Sequence, residues 1–167
     1  NLWFLRLTHN KGSLLWMRIL KSAKILAVAA ALAFSLSACA PTVNLEGAPL
    51  ANDPACAEVI VRLPDVVAEQ TKRASNAQST AAWGNPAAVI LRCGLEPIAA
   101  STLTCVTAGD IDWLVDDSAA PSYRFITFGR SPATEVIVDS SAVAGVTALE
   151  ELAGAVQNIE ATKYCLG

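Results

Sequence analysis

The chain has 167 residues, of which 53% are hydrophobic, and its formal net charge is −3 at pH 7. All 15 acidic residues follow position 39, whereas five of the 12 basic residues precede it. Without its first 38 residues the chain keeps 129 residues, the size of one domain, and carries a formal charge of −8. This acidity argues against nucleic acid and against an anionic membrane surface as electrostatic partners.

The N-terminal part has the order of segments that is typical of a secretory signal peptide. Arg18, Lys21 and Lys24 precede a run of 12 apolar residues at 25–36, and small residues follow the run. A membrane-spanning helix needs about 20 apolar residues, so this run is too short to span a bilayer. We therefore predict that residues 17–38 are a cleaved signal peptide, with an uncleaved anchor and a soluble core helix as the alternatives.

Residues 1–16 precede Met17, which has the position expected of the true start. A signal peptide rarely carries such a prefix. We therefore treat residues 1–16 as a non-native upstream extension and leave them out of the fold prediction.

The end of the apolar run reads Leu36-Ser37-Ala38-Cys39. This tetrapeptide resembles the lipobox of bacterial lipoproteins, which implies that the Cys39 thiol is lipidated and that the leader is cut before it. Two or three long acyl chains, at about 0.8 kcal/mol per buried methylene, hold a protein on a bilayer without other contacts. We expect a protein of the cell membrane, lipid-anchored on the extracytoplasmic face.

Residues 39–52 are predicted to be a lipidated tether. Pro41, Gly47 and Pro49 interrupt a segment of low apolar density, and a flexible segment of this length reaches roughly 20 Å. Val43 and Leu45 alternate with polar residues, so part of the segment is alternatively an edge strand.

Residues 53–167 are predicted to form a single α+β domain. Asp53-Pro54 is a helix start, because Asp caps free N–H groups and Pro is tolerated at the first helical position. The helix should end at Pro64. Residues 65–82 are polar and predict either a short second helix or a solvated loop, within which Lys72-Arg73 is either a solvated pair or a docking site for an anionic partner.

Alternating or continuous apolar residues predict strands in the middle of the domain. The segments are 87–91, a central strand ended by Arg92-Cys93-Gly94, then 103–107, 111–116, 123–128 and 134–138. The last two are separated by Gly129-Arg130-Ser131-Pro132, which predicts a β-hairpin with a longer loop.

The C-terminal part predicts a second helix. Thr147 and Glu150 have the spacing of a capping box, and an apolar stripe follows them until about Lys163. The expected fold is therefore α+β, with an antiparallel β-sheet of about four strands, two helices packed on one face and two disulfides.

Four cysteines follow Cys39, and an even number in an exported domain predicts two disulfides. The cysteines are Cys56, Cys93, Cys105 and Cys165. Three connectivities are open; we prefer Cys93 with Cys105, which closes a local loop, and Cys56 with Cys165. No C-x-x-C spacing is present, so zinc is not expected.

Catalytic machinery is scarce in the sequence. His9 is the only histidine and lies before the leader, which removes Ser-His-Asp and Cys-His chemistry from the mature chain. No nucleotide-binding or nucleophile motif is present. We predict a non-enzymatic binding or interaction module without a cofactor or metal.

The alternative is a carboxylate-dependent hydrolase that acts on envelope glycans, with its acids drawn from Asp110, Asp112, Asp116 and Asp117. This spacing departs from that of a calcium loop. On a strand Asp112 and Asp116 share the face away from Trp113, which favours a solvated outer face.

Several aromatic and guanidinium side chains are candidates for binding a sugar or a carboxylated or phosphorylated ligand. The candidates are Trp83, Arg92, Trp113 and Arg130, with Tyr123 and Arg124 as further residues of the same kind. Core packing of the tryptophans and structural hydrogen bonding of the arginines are the alternatives.

Six short motifs are spread over the mature chain: Cys56-Ala57, Leu63-Pro64, Trp83-Gly84-Asn85-Pro86, Leu91-Arg92-Cys93-Gly94, Asp112-Trp113 and Phe128-Gly129-Arg130. Together they resemble domain of unknown function 3515, small actinobacterial envelope proteins that often carry a lipobox. The resemblance implies an envelope location and disulfides, and it transfers no activity to any residue. The expected partners are the membrane, through the lipid anchor, and an envelope protein or ligand of unknown identity.

Overall fold

The computed structural model describes residues 41–166. The predicted signal peptide and Cys39 lie outside this range. The described residues form the predicted α+β fold with two helices and two disulfides. The prediction of about four strands was wrong, because the single antiparallel sheet has eight.

The sheet has the strand order β1-β2-β3-β4-β8-β7-β6-β5. The strands are β1 (Val66–Val67), β2 (Gln70–Arg73), β3 (Thr80–Trp83), β4 (Val89–Leu95), β5 (Thr104–Ala108), β6 (Ile111–Asp116), β7 (Ser122–Thr127) and β8 (Ala133–Asp139). The strands predicted from alternation after residue 103 are confirmed, including the β7–β8 hairpin.

The first helix, α1 (Pro54–Val61), begins as the sequence predicts. The Asp53 carboxylate accepts a hydrogen bond from the Ala55 N–H at 2.8 Å, which satisfies one of the free N–H groups of the first turn. Cys56 and Val59 are the buried residues of the helix. This short helix therefore brings a cysteine into the core.

The second helix, α2 (Gly145–Val156), corrects the predicted capping box. Ala144 is the N-cap residue and provides no side-chain hydrogen bond, so Thr147 lies inside the first turn instead of before it. The helix also ends at Val156 and does not continue to Lys163. Neither helix between residues 41 and 166 has the length and apolarity that crossing a membrane requires.

The region 65–82, predicted to be a helix or a loop, contains β1, β2 and the start of β3. The turn between β1 and β2 has positive φ at both Ala68 (46°) and Glu69 (63°). Tight hairpin turns of this kind usually carry Asn and Gly. Because Ala and Glu occupy them here, the turn has no sequence signal.

Strand β4 continues through the predicted stop at Arg92-Cys93-Gly94 and ends at Leu95. Gly94 lies at a shift of register between Cys93 and Leu95, with φ of 107°. A Cβ atom at Gly94 would lie 2.5 Å from the backbone nitrogen of Ala51. Gly94 therefore forms a β-bulge within β4 and does not end the strand as predicted. The N-terminal segment packs against this bulge.

The two faces of the sheet differ in composition. Val89, Leu91 and Val136 point toward the helices and share one core with Leu149 and Leu152 of α2. Residues that alternate with these point to the opposite side. We call that side the open face; its centre is formed by Ile90, Arg92, Arg124, Glu135 and Ile137.

The segment predicted to be a tether is bound to the domain from its start in the described range. The N–H of Val43 donates to the carbonyl of Ala74 at 2.8 Å, and that of Leu50 donates to the carbonyl of Gly94 at 2.7 Å. Ala51 is buried. Residues 43–52 are therefore not a flexible tether, and the reach calculated for one does not apply to them. The alternative, an edge strand in this segment, is also not found; a single β-bridge between Val43 and Ser75 takes its place.

The preferred disulfide pairing was wrong. The structure joins Cys56 to Cys93 and Cys105 to Cys165, with Cα–Cα distances of 5.5 and 5.9 Å. Cys93 on β4 and Cys105 on β5 are separated by three intervening strands. Four strand spacings amount to about 19 Å, far more than a disulfide can bridge.

Candidate ligand-binding site on the open face

A buried carboxylate lies at the centre of the open face. Glu135 is 1% exposed, although it is ionisable and the residues on either side of it on the strand are uncharged. Its Oε2 atom lies 2.5 Å from Nε of Arg92 on the neighbouring strand, and its Oε1 atom accepts from Nε of Arg124 on the other side. Each carboxylate oxygen is therefore paired with a guanidinium, as a buried charge requires.

The two arginines keep further donors available. The side chains of Arg92 and Arg124 are 28% and 37% exposed, and each guanidinium has five N–H groups. Within residues 41–166, the terminal nitrogens of Arg92 donate to no acceptor. With Glu135 the two guanidiniums have a formal net charge of +1, which Asp116 beside Arg124 brings to zero, so the cluster offers unused donors and no excess of positive charge.

Asp116 lies beside Arg124 at the edge of this cluster. Its Oδ2 atom lies 4.0 Å from Nη1 of Arg124. Hydrogen bonds from the hydroxyl and the N–H of Ser118 lower the pKa of Asp116 below its ordinary value, and the charge of Arg124 contributes further. Asp116 is therefore ionised at neutral pH and partly balances Arg124, which leaves Arg92 as the less compensated cation.

Arg92 lies in a surface cleft of about 560 Å³. The cleft is lined by Asn44, Leu45, Glu46, Ile90, Arg92 and Ile137. This volume lies within the range of small-ligand sites, and the combination of an apolar floor with a few polar groups is typical of them.

One wall of the cleft comes from the N-terminal segment. The Asn76 side chain accepts from the N–H of Leu45 at 2.9 Å and donates to the side chain of Asn44 at 3.0 Å. Leu45, which lines the cleft together with Ile90 and Ile137, is thereby held in place. The cleft therefore depends on the same contacts that bind residues 43–52 to the domain.

The two predicted tryptophans do not take part in this site. Trp83 and Trp113 have no exposed surface and belong to the core. Their indole N–H groups donate to the carbonyls of Pro64 (3.0 Å) and Ala108 (3.2 Å). Both are therefore satisfied inside the domain, as the core-packing alternative proposed.

Arg130 is also remote from a free surface. Its side chain is buried, and its Nη1 atom donates to the carbonyl of Ile159. Its backbone forms an antiparallel β-bridge with Ala161. Burial lowers the pKa of Arg130, while Tyr164 and Asp112 oppose the shift. This arginine fastens the C-terminal segment, as the structural alternative proposed.

Two of the four carboxylates considered for hydrolysis, Asp112 and Asp116, have local hydrogen-bond partners. Asp112 accepts from the Thr107 hydroxyl at 2.6 Å and from the N–H of Cys165 at 2.8 Å. It lies four residues from Asp116 on one strand, about 13 Å apart at the usual rise, which is too far for a paired acid and nucleophile. Between residues 41 and 166, no three His, Cys, Asp or Glu side chains converge as metal ligands.

Of the predicted candidates, the structure brings Arg92 and Arg124 together and leaves the others elsewhere. Tyr123 lies on the helix side, 6.5 Å from Phe125 between ring centroids. Glu135 was missed by the sequence analysis. The sequence feature that could have indicated it is a single acidic residue within the predicted strand 134–138, at a position that alternation places on the same face as Ile137.

Comparison with known proteins places the chain in a family. The model of the family described as Protein of unknown function (DUF3515) matches residues 19–164. The chain belongs to this family. The match covers every element of the described domain of this DUF3515 protein and reaches back to within two residues of Met17. No curated protein and no solved structure matches the chain.

Proposed function

We propose that this DUF3515 protein is a lipid-anchored protein of the actinobacterial cell envelope that acts by binding an anionic ligand in the cleft around Arg92. The proposal has two parts, an anchor and a site. They rest on different observations and are tested separately.

The anchor part is supported by the leader and by the two disulfides. Basic residues, a short apolar run, small residues and Cys39 follow one another in the order that lipid-modified exported proteins use. Disulfides persist outside the reducing cytoplasm. An extracytoplasmic location agrees with both observations.

The site part rests on one observation: Arg92 is fixed by a buried carboxylate and still has donors that no group within residues 41–166 uses. Glu135 holds Nε, and the two terminal nitrogens have no acceptor among residues 41–166. A guanidinium held in this way can form a two-point contact with a carboxylate or phosphate. Holding it in advance lowers the entropy lost on binding.

The surroundings of Arg92 narrow the class of ligand. Ile90, Ile137 and Leu45 offer apolar contact, while Asn44 and Glu46 offer groups that pair with hydroxyls. A fully apolar ligand would leave these polar groups without partners. A sugar that carries one phosphate or carboxylate satisfies the apolar floor, the hydroxyl partners and the guanidinium together.

The site is tested by thermal unfolding of the purified protein with glucose 6-phosphate, and with glucose as the uncharged match. Binding to the folded state raises the unfolding midpoint. We expect glucose 6-phosphate to raise it in the wild type and in Arg62→Lys, and to lose the effect in Arg92→Lys. Arg62 lies on the C-cap of α1, at the surface, and provides the same substitution outside the cleft.

Arg92→Lys keeps a positive charge beside Glu135 and removes the two-point contact, so its loss of response reports on binding. A response to glucose 6-phosphate that survives in Arg92→Lys, or an equal response to glucose, contradicts the site. The anchor is tested by labelled palmitate, which the wild type should incorporate and Cys39→Ala should not. Equal incorporation in the two proteins, or none in the wild type, contradicts the anchor.

A further inference from the structure

The C-terminal segment crosses the open face at the β5–β6 end of the sheet. Cys165 is bonded to Cys105 on β5, and its N–H donates to the Asp112 side chain on β6 at 2.8 Å. Before this point the N–H of Thr162 donates to the carbonyl of Gly129 at 2.7 Å. A covalent bond and two backbone N–H groups therefore hold the segment on this part of the sheet.

A second pocket, which we call the apolar pocket, lies between this segment and the sheet. Its volume is about 380 Å³. Leu114 lines it from β6, because Leu114 alternates with the core residue Trp113 and so belongs to the open face. Leu103, before β5, and Phe128, after β7, are half-buried and line it from two further sides. The apolar pocket shares no lining residue with the cleft around Arg92.

The remaining wall comes from the C-terminal segment itself. It consists of Lys163, Tyr164, Leu166 and the Cys105–Cys165 disulfide. Because the disulfide holds this wall on the sheet, the pocket does not have to be assembled by its ligand. A site that is formed in advance loses less entropy on binding.

Lys163 is the one charged residue that lines the apolar pocket. Its Nζ atom donates to the carbonyl of Ala99 at 3.3 Å. An ammonium group has three donors, and among residues 41–166 no carboxylate forms an ion pair with this one. The pocket therefore combines apolar side chains with a single positive charge that lacks an anionic partner in the domain.

We infer that the apolar pocket binds a medium-chain fatty acid, with its chain against Leu103, Leu114 and Phe128 and its carboxylate at Lys163. This inference depends neither on the proposed anchor nor on the Arg92 cleft. One acyl chain matches the apolar lining, and its carboxylate matches the single charge. A sugar phosphate would instead place hydroxyls without partners against apolar side chains. The volume is near the lower end of the range for small-ligand sites, which favours one chain over two.

Isothermal titration calorimetry of the purified protein tests the site, with octanoate as the ligand and octanol as its uncharged match. Leu103→Asp places a charge in the lining at a half-buried position. Ile98→Asp makes the same change at a half-buried position of the same loop, outside the lining. We expect Leu103→Asp to weaken both ligands at least about ten-fold and Ile98→Asp to bind them as the wild type does. Equal octanoate affinities in these two variants, or no binding to the wild type, overturn the inference.

The role of the ammonium group is tested by Lys163→Gln, with Lys72→Gln as the control at the one other lysine after Cys39. Lys163→Gln should weaken octanoate about three-fold, the effect of a solvent-exposed ion pair. It should leave octanol unchanged, which shows that the pocket itself is intact. Lys72→Gln should change neither ligand. An octanoate affinity that is the same in both variants overturns the pairing of the carboxylate with Lys163.

Arg92→Lys separates this inference from the proposed function. Octanoate should bind Arg92→Lys with the affinity of the wild type, and glucose 6-phosphate should still raise the unfolding midpoint of Leu103→Asp. Loss of octanoate binding in Arg92→Lys would place the carboxylate in the Arg92 cleft and overturn the inference. A wild type that binds octanoate in the expected way and does not respond to glucose 6-phosphate contradicts the proposed function alone.

Discussion

Arg92 and Glu135 face each other across β4 and β8, and Nε of Arg92 lies 2.5 Å from Oε2 of Glu135. The two partners differ in their access to water: Glu135 is 1% exposed, whereas the Arg92 side chain is 28% exposed. Water can therefore solvate the arginine when the pair is broken, but it cannot solvate the glutamate. This asymmetry determines how each substitution should affect stability.

Arg92→Leu should destabilise the domain more than Glu135→Leu. The first variant leaves a buried carboxylate with Arg124 as its one remaining guanidinium, at a cost of about 1–3 kcal/mol. The second leaves two half-exposed guanidiniums that reach water, and we expect a loss of about 1 kcal/mol or less. Urea unfolding of both variants measures the difference, and the reverse order contradicts the assigned burial.

The two disulfides should differ in their resistance to mild reduction. Cys56 and Cys93 have no exposed surface, whereas Cys105 and Cys165 are half-buried. A reductant should therefore open Cys105–Cys165 first in the folded protein. Alkylation under native conditions, followed by peptide mass spectrometry, should find label on Cys105 and Cys165 before Cys56 and Cys93; simultaneous labelling of all four contradicts the prediction.

Both disulfides should stabilise the fold strongly. They join residues 37 and 60 positions apart, and loops of these lengths correspond to about 4 kcal/mol each in the chain-entropy model. Cys56→Ala/Cys93→Ala and Cys105→Ala/Cys165→Ala, compared by urea unfolding with the oxidised wild type, measure the two contributions. A negligible loss for either pair contradicts the assigned connectivity.

Asp139 should give a defined pH dependence. Hydrogen bonds from the hydroxyl and the N–H of Ser141 lower its pKa below 3.8. The resulting stabilisation is present above pH 3.8, and it is lost as the pH falls through the lower pKa of the folded state. In Ser141→Ala the hydroxyl bond is gone, so the pKa of Asp139 should rise toward 3.8.

Carboxyl NMR titration measures this shift, and Asp116 is the internal control. Asp116 depends on Ser118 in the same way and should titrate unchanged in Ser141→Ala. The stability difference between wild type and variant should be constant at neutral pH and vanish in acid. A pKa of Asp139 that does not move removes the assigned role of Ser141.

Gly129 and Gly154 should respond in opposite directions to alanine. Gly129 has φ of 70°, and an added Cβ would collide with the backbone of Lys163. Gly129→Ala should therefore displace the C-terminal segment and lower the unfolding midpoint. Gly154 lies in α2 with nothing near its would-be Cβ, so Gly154→Ala should stabilise the domain by up to about 1 kcal/mol; the same sign for both variants contradicts this account.

The sequence predicted those elements whose periodicity is local. Strands β5 to β8 and α1 follow from alternation, an N-cap and a proline. Strands β1 and β2 were missed because Val66–Val67 is only two residues long and Gln70–Arg73 is polar. The disulfide pairing was missed because it depends on strand order, which sequence spacing does not contain.

The candidate site was predicted only in part, for a similar reason. Arg92 and Arg124 are 32 positions apart, and only the β4–β8–β7 pairing brings both to Glu135. Trp83 and Trp113 have the residue type of ligand-binding positions, but the sheet directs both toward the helices. Residue type was therefore informative only after the face of each strand was known.

The anchor is the claim on which the proposed location depends, and the intact mass of the protein extracted from membranes tests it most directly. The account predicts a chain that begins at Cys39, carries the added mass of a diacylglyceryl group, and gains four hydrogen atoms on reduction of its two disulfides. A chain that keeps residues 17–38 and has an unmodified Cys39 contradicts the account.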